Sequence, residues 1–226
     1  MTARYSVLTS IQQSIMNFGI LLVQGLVNTF GATAMAAFAA AVKIDSFAYM
    51  PVQEFGNAFS TYVAQNVGAS DTQRVKLGVH AAIRTIIIFC IIISSLVLIF
   101  ARQLMMIFVD ACETAIIDIG AQYLYIVGVF YVLIGFLFMF YGFYRGIGQH
   151  SMSIILTILS LGTRVALAYL LAPTAIGLVG IWWAIPIGWA IADTVGFVVY
   201  GRGKWTRFVA DYGKHFVKPK DQLKKS

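Results

Sequence analysis

Residues 31–69, GATAMAAFAAAVKIDSFAYMPVQEFGNAFSTYVAQNVGA, decide what kind of protein this is. The stretch is apolar and long enough to span a membrane as a helix, yet it carries Lys43, Asp45 and Glu54 near its middle. An ionisable side chain at membrane depth costs about 2.5–3.5 kcal/mol on insertion scales, so such residues face a bundle interior or a watery cavity and mark pathways. Lys43 and Asp45 are two apart and point in different directions, whereas Lys43, Glu54 and Gln65 recur every eleven residues and share a face. Lys43 and Glu54 lie ~16 Å apart along an ideal helix, too far to pair directly. Between them Pro51 removes one backbone hydrogen bond, which makes it a hinge candidate; a static kink is an equal reading. Asn57, one turn beyond Glu54, is placed to hydrogen-bond it.

The rest of the chain fits that setting. Of its 226 residues, 60% are hydrophobic and 11% charged, with a mean hydropathy of +0.83. Apolar runs near the ~20 residues needed to cross ~30 Å of hydrocarbon recur throughout, and they read as helices because an isolated strand cannot satisfy its backbone there. The expected fold is an all-α integral membrane bundle of six helices, at about 4–30, 33–66, 75–101, 115–144, 151–171 and 178–200, forming one unit over 1–203. Gly68 ends the second helix, and Ser70 to Gln73 reads as a capping box for the third. Arg4, Arg74, Lys76, Arg84, Arg145 and the basic tail fall on one side, against Arg102 on the other, so both termini are expected in the cytoplasm. The net charge of +7 follows this topology and does not indicate nucleic acid. In the basic cytoplasmic tail, 204–226, Trp205, Phe208, Val209, Tyr212 and Phe216 form an apolar stripe suited to a short helix on anionic lipid.

Polar residues in the membrane runs are the candidate site. In the first helix Ser10, Gln13, Asn17, Gln24 and Asn28 fall within roughly 60° of arc. They read either as a cavity wall or as hydrogen-bonding glue between helices. The fourth run is crowded with aromatics, among them Tyr123, Tyr125, Tyr131, Phe138 and Tyr141, which suit a pocket for organic cations or plain packing. In the fifth, Ser153, Thr157, Ser160 and Arg164 form one stripe, and Arg164 is the counter-ion candidate for Asp45. In the sixth, Trp182 and Trp183 read as an interfacial belt, with Asp193 reaching toward the cytoplasmic interface. Cys90 and Cys112 have neither disulfide nor metal spacing. No HExxH, GxSxG or Walker loop occurs, and His80, His150 and His215 lie in or beside cytoplasmic segments, so no enzyme, metal or cofactor is expected.

The run SIQQSIMNFGILLVQGLVNTFGATAMAAFAAAVKIDSFAYMPVQEFGNAFSTYVAQNVGA, 10–69, resembles the seventh and eighth helices of bacterial MATE (multidrug and toxic compound extrusion) transporters. YGFYRGIGQHSMSI, 141–154, and GIWWAIPIGW, 180–189, resemble that family's later helices. The resemblance covers essentially the whole chain. It implies the C-terminal lobe of a twelve-helix secondary antiporter in the bacterial inner membrane, exporting small organic, often cationic, substrates against H⁺ or Na⁺. The partner would be a missing N-terminal lobe or a second copy, in contact with membrane lipids. One branch of the family couples through a carboxylate in the first helix of the N-terminal lobe, which is not here; another carries acids on the seventh and tenth helices, where this chain has Gln12, Gln13 and Gln24 in the former and Asp118 only at the outer end of the latter. Lys43, Asp45, Glu54 and Arg164 are therefore candidates from burial cost alone. The rival readings are a lipid-linked saccharide flippase of the related superfamily and a non-transporting membrane scaffold.

Overall fold

The computed structural model describes residues 2–206 and Val209. Its elements are α1 (Thr2–Asn28), α2 (Ala32–Gly68), α3 (Thr72–Met105), α4 (Thr114–Gly128), α5 (Tyr131–Gly146), α6 (His150–Leu171) and α7 (Leu178–Gly201). Four of these, α2, α3, α6 and α7, are individually long and apolar enough to cross a membrane; α4 and α5 qualify together as one bent span. The proposed tail stripe lies outside the described residues, apart from Trp205 and Val209, which are buried.

The run expected as a single helix over 115–144 is broken. α4 and α5 meet at 57°, around Phe130 with φ −102° and ψ 16°. The break lets α4 lean on α2 and α3 while α5 runs along α2 and meets α7. α3 contains a second deviation at Phe100, φ −108° and ψ 18°, one residue before its expected end. Beyond it, Arg102 pairs with Asp118 of α4 at 2.7 Å on the surface.

α2 is central. It packs on α5 through glycines: a Cβ at Gly56 would stand 2.7 Å from the Phe138 carbonyl, one at Gly146 2.7 Å from the Ser60 carbonyl, and one at Gly142 would strike the Gly56 carbonyl. These residues allow two backbones to touch, the device by which membrane helices gain dispersion contact where water supplies no driving force. α6 bridges α1 and α7, completing the ring around α5. α3 stays at the edge, with Ile88, Ile91, Leu96 and Ile99 exposed, as its uniform apolarity requires.

The α2–α3 turn differs from the expected capping box. Ser70 takes φ 59°, and the cap is Asp71, whose Oδ1 accepts from the Arg74 N–H at 2.9 Å. The carboxylate one residue later fits the cap position, and Ser70 absorbs the left-handed reversal after Gly68.

Candidate functional site

Asp45 lies on the face of α2 turned toward α4, α5 and α6 and is 5% exposed. The Tyr123 hydroxyl of α4 donates to its Oδ2 at 3.1 Å, while Oδ1 has no hydrogen-bond partner among the described residues. Tyr131, at the start of α5 just past the break, is close enough to feel the Asp45 charge without meeting hydrogen-bond geometry. The 57° bend thus brings one tyrosine from each half of the broken span to the same carboxylate.

Arg164 of α6 shares a cavity of about 90 Å³ with Asp45. Its other walls include Tyr49, Tyr123, Tyr141, Ser160 and Trp189. The charges attract, but among the described residues they form no contact within 4.0 Å, where the ion pairs are Arg74–Asp71 and Arg102–Asp118. The guanidinium Nε is buried without a hydrogen bond. Asp45 and Arg164 are therefore counter-charges across a gap, not a closed bridge. The cavity has room for a few water molecules or a small ion and falls short of the ~300 Å³ at which pockets accept drug-sized ligands.

Aromatic rings fix the Asp45 wall. Phe38 stacks on Trp182 at 5.3 Å and 12°, and Tyr123 meets Trp182 edge-on at 5.0 Å and 88°. Trp182 is 0% exposed, so it is core and not interfacial belt; Trp183, 42% exposed, is free to serve that purpose. Adjacent helical positions point ~100° apart, which places one indole inside and the other outside.

The other candidates lie elsewhere. Lys43 and Glu54 are exposed on the bundle, so of the three charges on the central helix Asp45 alone is in the interior of this lobe. Lys43 Nζ sits 5.9 Å over the Phe108 ring. Glu54 Oε2 accepts from Asn57 Nδ2 at 3.2 Å, the contact that their spacing predicts. Asn57 Oδ1 in turn accepts from Arg145 Nη2 at 2.8 Å, tying Glu54 to the last turn of α5. Pro51 is exposed inside an α2 that remains helical along its length. Tyr125, 44% exposed, does not line the Asp45 cavity; Tyr123, two residues earlier and on the opposite face, does.

In α1, Gln13 and Asn17 are exposed and bond each other at 3.4 Å, Gln24 is half-buried and Asn28 exposed. The buried amide is Gln12: its Nε2 donates to Thr157 Oγ1 at 2.8 Å, and its Oε1 accepts from Ser153 Oγ at 3.2 Å. Glue and open polar surface are thus both present, on neighbouring positions of one helix. Asp193 was expected to reach an interface but is 3% exposed, inside the bundle. Gln12 and Asp193 belong to the polar interior although sequence periodicity did not select them, and Tyr123, one of the aromatics of the fourth run, joins them there. The α6 stripe Ser153–Thr157–Ser160–Arg164 was the usable signal, because it demands polar partners on whatever packs against it.

Residues 6–170 match the MatE family model. Among similar curated proteins, the probable multidrug resistance protein YpnP of Bacillus subtilis strain 168 is 23% identical over 195 residues, covering 86% of this chain and 43% of YpnP. The probable multidrug resistance protein YoeA of the same strain is 26% identical over 191 residues, covering 84% of this chain and 41% of YoeA. Among solved structures, a MATE in the bent conformation superposes with a TM-score of 0.81 at 25% identity, covering 91% of this chain and 45% of the other. The chain thus spans less than half the length of these relatives.

Proposed function

The chain belongs to the MatE family, and from that premise we propose that it forms one six-span lobe of a secondary multidrug efflux antiporter in a bacterial inner membrane. The observation that carries this reading is that buried Asp45 and half-buried Arg164 face each other across a small cavity. Such a cavity suits H⁺ or Na⁺ and is too small for a drug. Ion and organic substrate therefore occupy different places: the ion at Asp45, and the substrate on the polar surface that the lobe leaves open, where Gln13, Asn17, Gln24, Asn28, Lys43, Glu54 and Asn57 are exposed or half-buried.

Six crossings arise if α1 spans the membrane alongside α2, α3, the α4–α5 pair, α6 and α7; both ends then face the cytoplasm, in keeping with the one-sided Lys and Arg. Glu54 and Lys43 need shielding from lipid that this lobe does not supply, and a second lobe, from an N-terminal half or another copy, supplies it across the substrate path. Binding of the coupling ion between α2, the α4–α5 break and α6 shifts the balance between two arrangements of these helices, with Pro51 as hinge, only insofar as the ion binds one arrangement more tightly. The reading is non-enzymatic and requires no cofactor beyond the ion.

Ethidium efflux from cells tests it, comparing the chain alone, the chain with a MATE N-terminal lobe, and each with Asp45→Asn. Efflux that appears in either wild-type arrangement and disappears in Asp45→Asn is expected. Efflux unchanged by the substitution removes Asp45 from coupling, and none in any arrangement of the folded protein refutes the transport reading.

A further inference from the structure

The edge of the lobe carries a crevice between α2 and α3, away from the Asp45 cavity. Along α2, Phe55, Phe59 and Tyr62 form a ladder of rings 6.3 and 6.1 Å apart, nearly parallel at 2° and 15°. Opposite them α3 presents Leu77 at the rim and otherwise the small residues Gly78, Ala81, Ala82 and Thr85. A wall of rings facing a wall of small side chains leaves an open apolar space of about 490 Å³. It continues into a second space of about 140 Å³ beside Pro51 and Phe89, with Phe55 and Thr85 lining both. At the other end the Tyr62 hydroxyl donates to the Arg74 carbonyl at 3.0 Å, and its ring lies over Gly78, where a Cβ would strike it. From Tyr62 to Pro51 the crevice runs ~16 Å along the helix axis, half of a ~30 Å hydrocarbon layer and so the depth of one leaflet.

Two guanidinium groups border this space. Arg74 lies one turn before Gly78 on the same face; its side chain is 72% exposed and meets Asp71 at 3.5 Å on the open surface. Arg84 follows Ala81 by three residues and Leu77 by seven, which places it on the α3 rim. It is exposed and has no carboxylate within 4.0 Å among the described residues, where the ion pairs are Arg74–Asp71 and Arg102–Asp118. Side chains lean toward the N-terminus of their helix, so Arg84 reaches from membrane depth back toward the α2–α3 turn, as a snorkelling arginine does. A cation at that depth calls for an anion, and a guanidinium matches phosphate with two parallel donors. The polar surface assigned to substrate and second lobe lies across α2: Asn57, bonded to Glu54 and Arg145, is two residues from both Phe55 and Phe59 and points the other way. The crevice instead opens on the edge where Leu77 and Ile88 face outward.

We propose that the α2–α3 crevice binds an anionic glycerophospholipid of the cytoplasmic leaflet, with its phosphate held by Arg84, Arg74 adding positive charge at the mouth, and one acyl chain between the ring ladder and α3. The far end of that chain meets Pro51, so an occupied crevice braces the segment of α2 assigned as the hinge. The choice of leaflet rests on the topology of the transport reading; the binding itself does not depend on transport.

Delipidated protein in non-ionic detergent is titrated with dioleoyl phosphatidylglycerol or dioleoyl phosphatidylcholine, and bound lipid is counted by native mass spectrometry. Wild type is compared with Arg84→Gln, Ala81→Phe and Lys76→Gln, the last being two residues from Gly78 and on the far side of α3. One basic residue at the membrane surface is worth about fivefold in affinity for an anionic lipid. Wild type should therefore hold one phosphatidylglycerol at least about fivefold more tightly than phosphatidylcholine. Arg84→Gln should lose about fivefold for phosphatidylglycerol alone, Ala81→Phe should lose the site for both lipids because its ring fills the crevice, and Lys76→Gln should bind as wild type. Equal wild-type affinity for the two lipids overturns the proposal, as does wild-type binding by either Arg84→Gln or Ala81→Phe. Should Ala81→Phe not fold, Thr85→Phe fills the same space from its exposed rim and is read in the same way. Release of the lipid on adding a MATE N-terminal lobe would assign the crevice to that lobe and also overturn the proposal; retention supports it. Efflux plays no part, so failure of the transport reading leaves the result intact, and failure here leaves the Asp45 assignment standing.

Discussion

Replacing Gly142 by Ala tests the packing on which the lobe depends. A Cβ on Gly142 points into the Gly56 carbonyl of α2, with the Ser60 nitrogen 3.4 Å away, so the obstacle is backbone and cannot rotate aside. In the reciprocal direction a Cβ on Gly56 would stand 2.7 Å from the Phe138 carbonyl, so the two backbones already lie as close as glycine allows. Relief requires α2 and α5 to separate. Overpacking typically costs 1–3 kcal/mol, and a backbone-to-backbone clash belongs at about 3. Against this, Ala gains about 1 kcal/mol over Gly in helix propensity, leaving a net destabilisation of about 2 kcal/mol. Gly162→Ala is the matched control, because nothing lies within 4 Å of its Cβ position on α6; it should be neutral or stabilising by up to about 1 kcal/mol. Thermal unfolding in one detergent, read as the loss of the monodisperse peak on size exclusion, ranks the proteins as Gly162→Ala at or above wild type and Gly142→Ala clearly below. Gly142→Ala as stable as wild type would refute the α2–α5 contact.

Other consequences are more local. Gln12→Ala leaves Thr157 and Ser153 without their buried partner and should cost about 1–3 kcal/mol in the same unfolding assay; Gln13→Ala, on the exposed side, should stay within about 0.5 kcal/mol. Removing the α3 cap with Asp71→Ala should cost about 1 kcal/mol. At Asp110, in the loop after α3, the Cys112 backbone N–H donates to the carboxylate and holds its pKa below the ordinary value. A group depressed in the folded state stabilises it above the unfolded pKa and loses that contribution as pH falls through the folded one, so the Asp110 carboxyl resonance in NMR should titrate at lower pH than a free aspartate.

Much of this arrangement can be read from residue order. Apolar run lengths locate the helices, and the α6 stripe announces a polar interior. The helical spacing of Glu54 and Asn57 foretells their bond, because local geometry alone sets it. The break between α4 and α5 escapes notice since Val129 and Phe130 are apolar, with no proline to mark them and only Gly128 before them; both halves then pack on α2 and α3. Helix phase is the second limit. Gln12 and Gln13, or Trp182 and Trp183, differ by one step of ~100°, and which of each pair turns inward depends on a neighbour distant in sequence: Thr157 for Gln12, Phe38 for Trp182. For the same reason a charge in a membrane run need not be a charge within its own bundle. Asp45 is buried, whereas Lys43 and Glu54 of the same helix stand on the open face.

The most direct test of the account uses proteoliposomes that carry the lobe with whatever second lobe restores efflux. Ethidium movement is followed under an imposed H⁺ or Na⁺ gradient for wild type, Asp45→Asn and Glu54→Gln. Separate places for ion and substrate predict that Asp45→Asn abolishes the response to the gradient while ethidium still binds, and that Glu54→Gln weakens ethidium binding while the gradient response remains. Gradient-driven transport at the wild-type rate in Asp45→Asn would contradict the assignment.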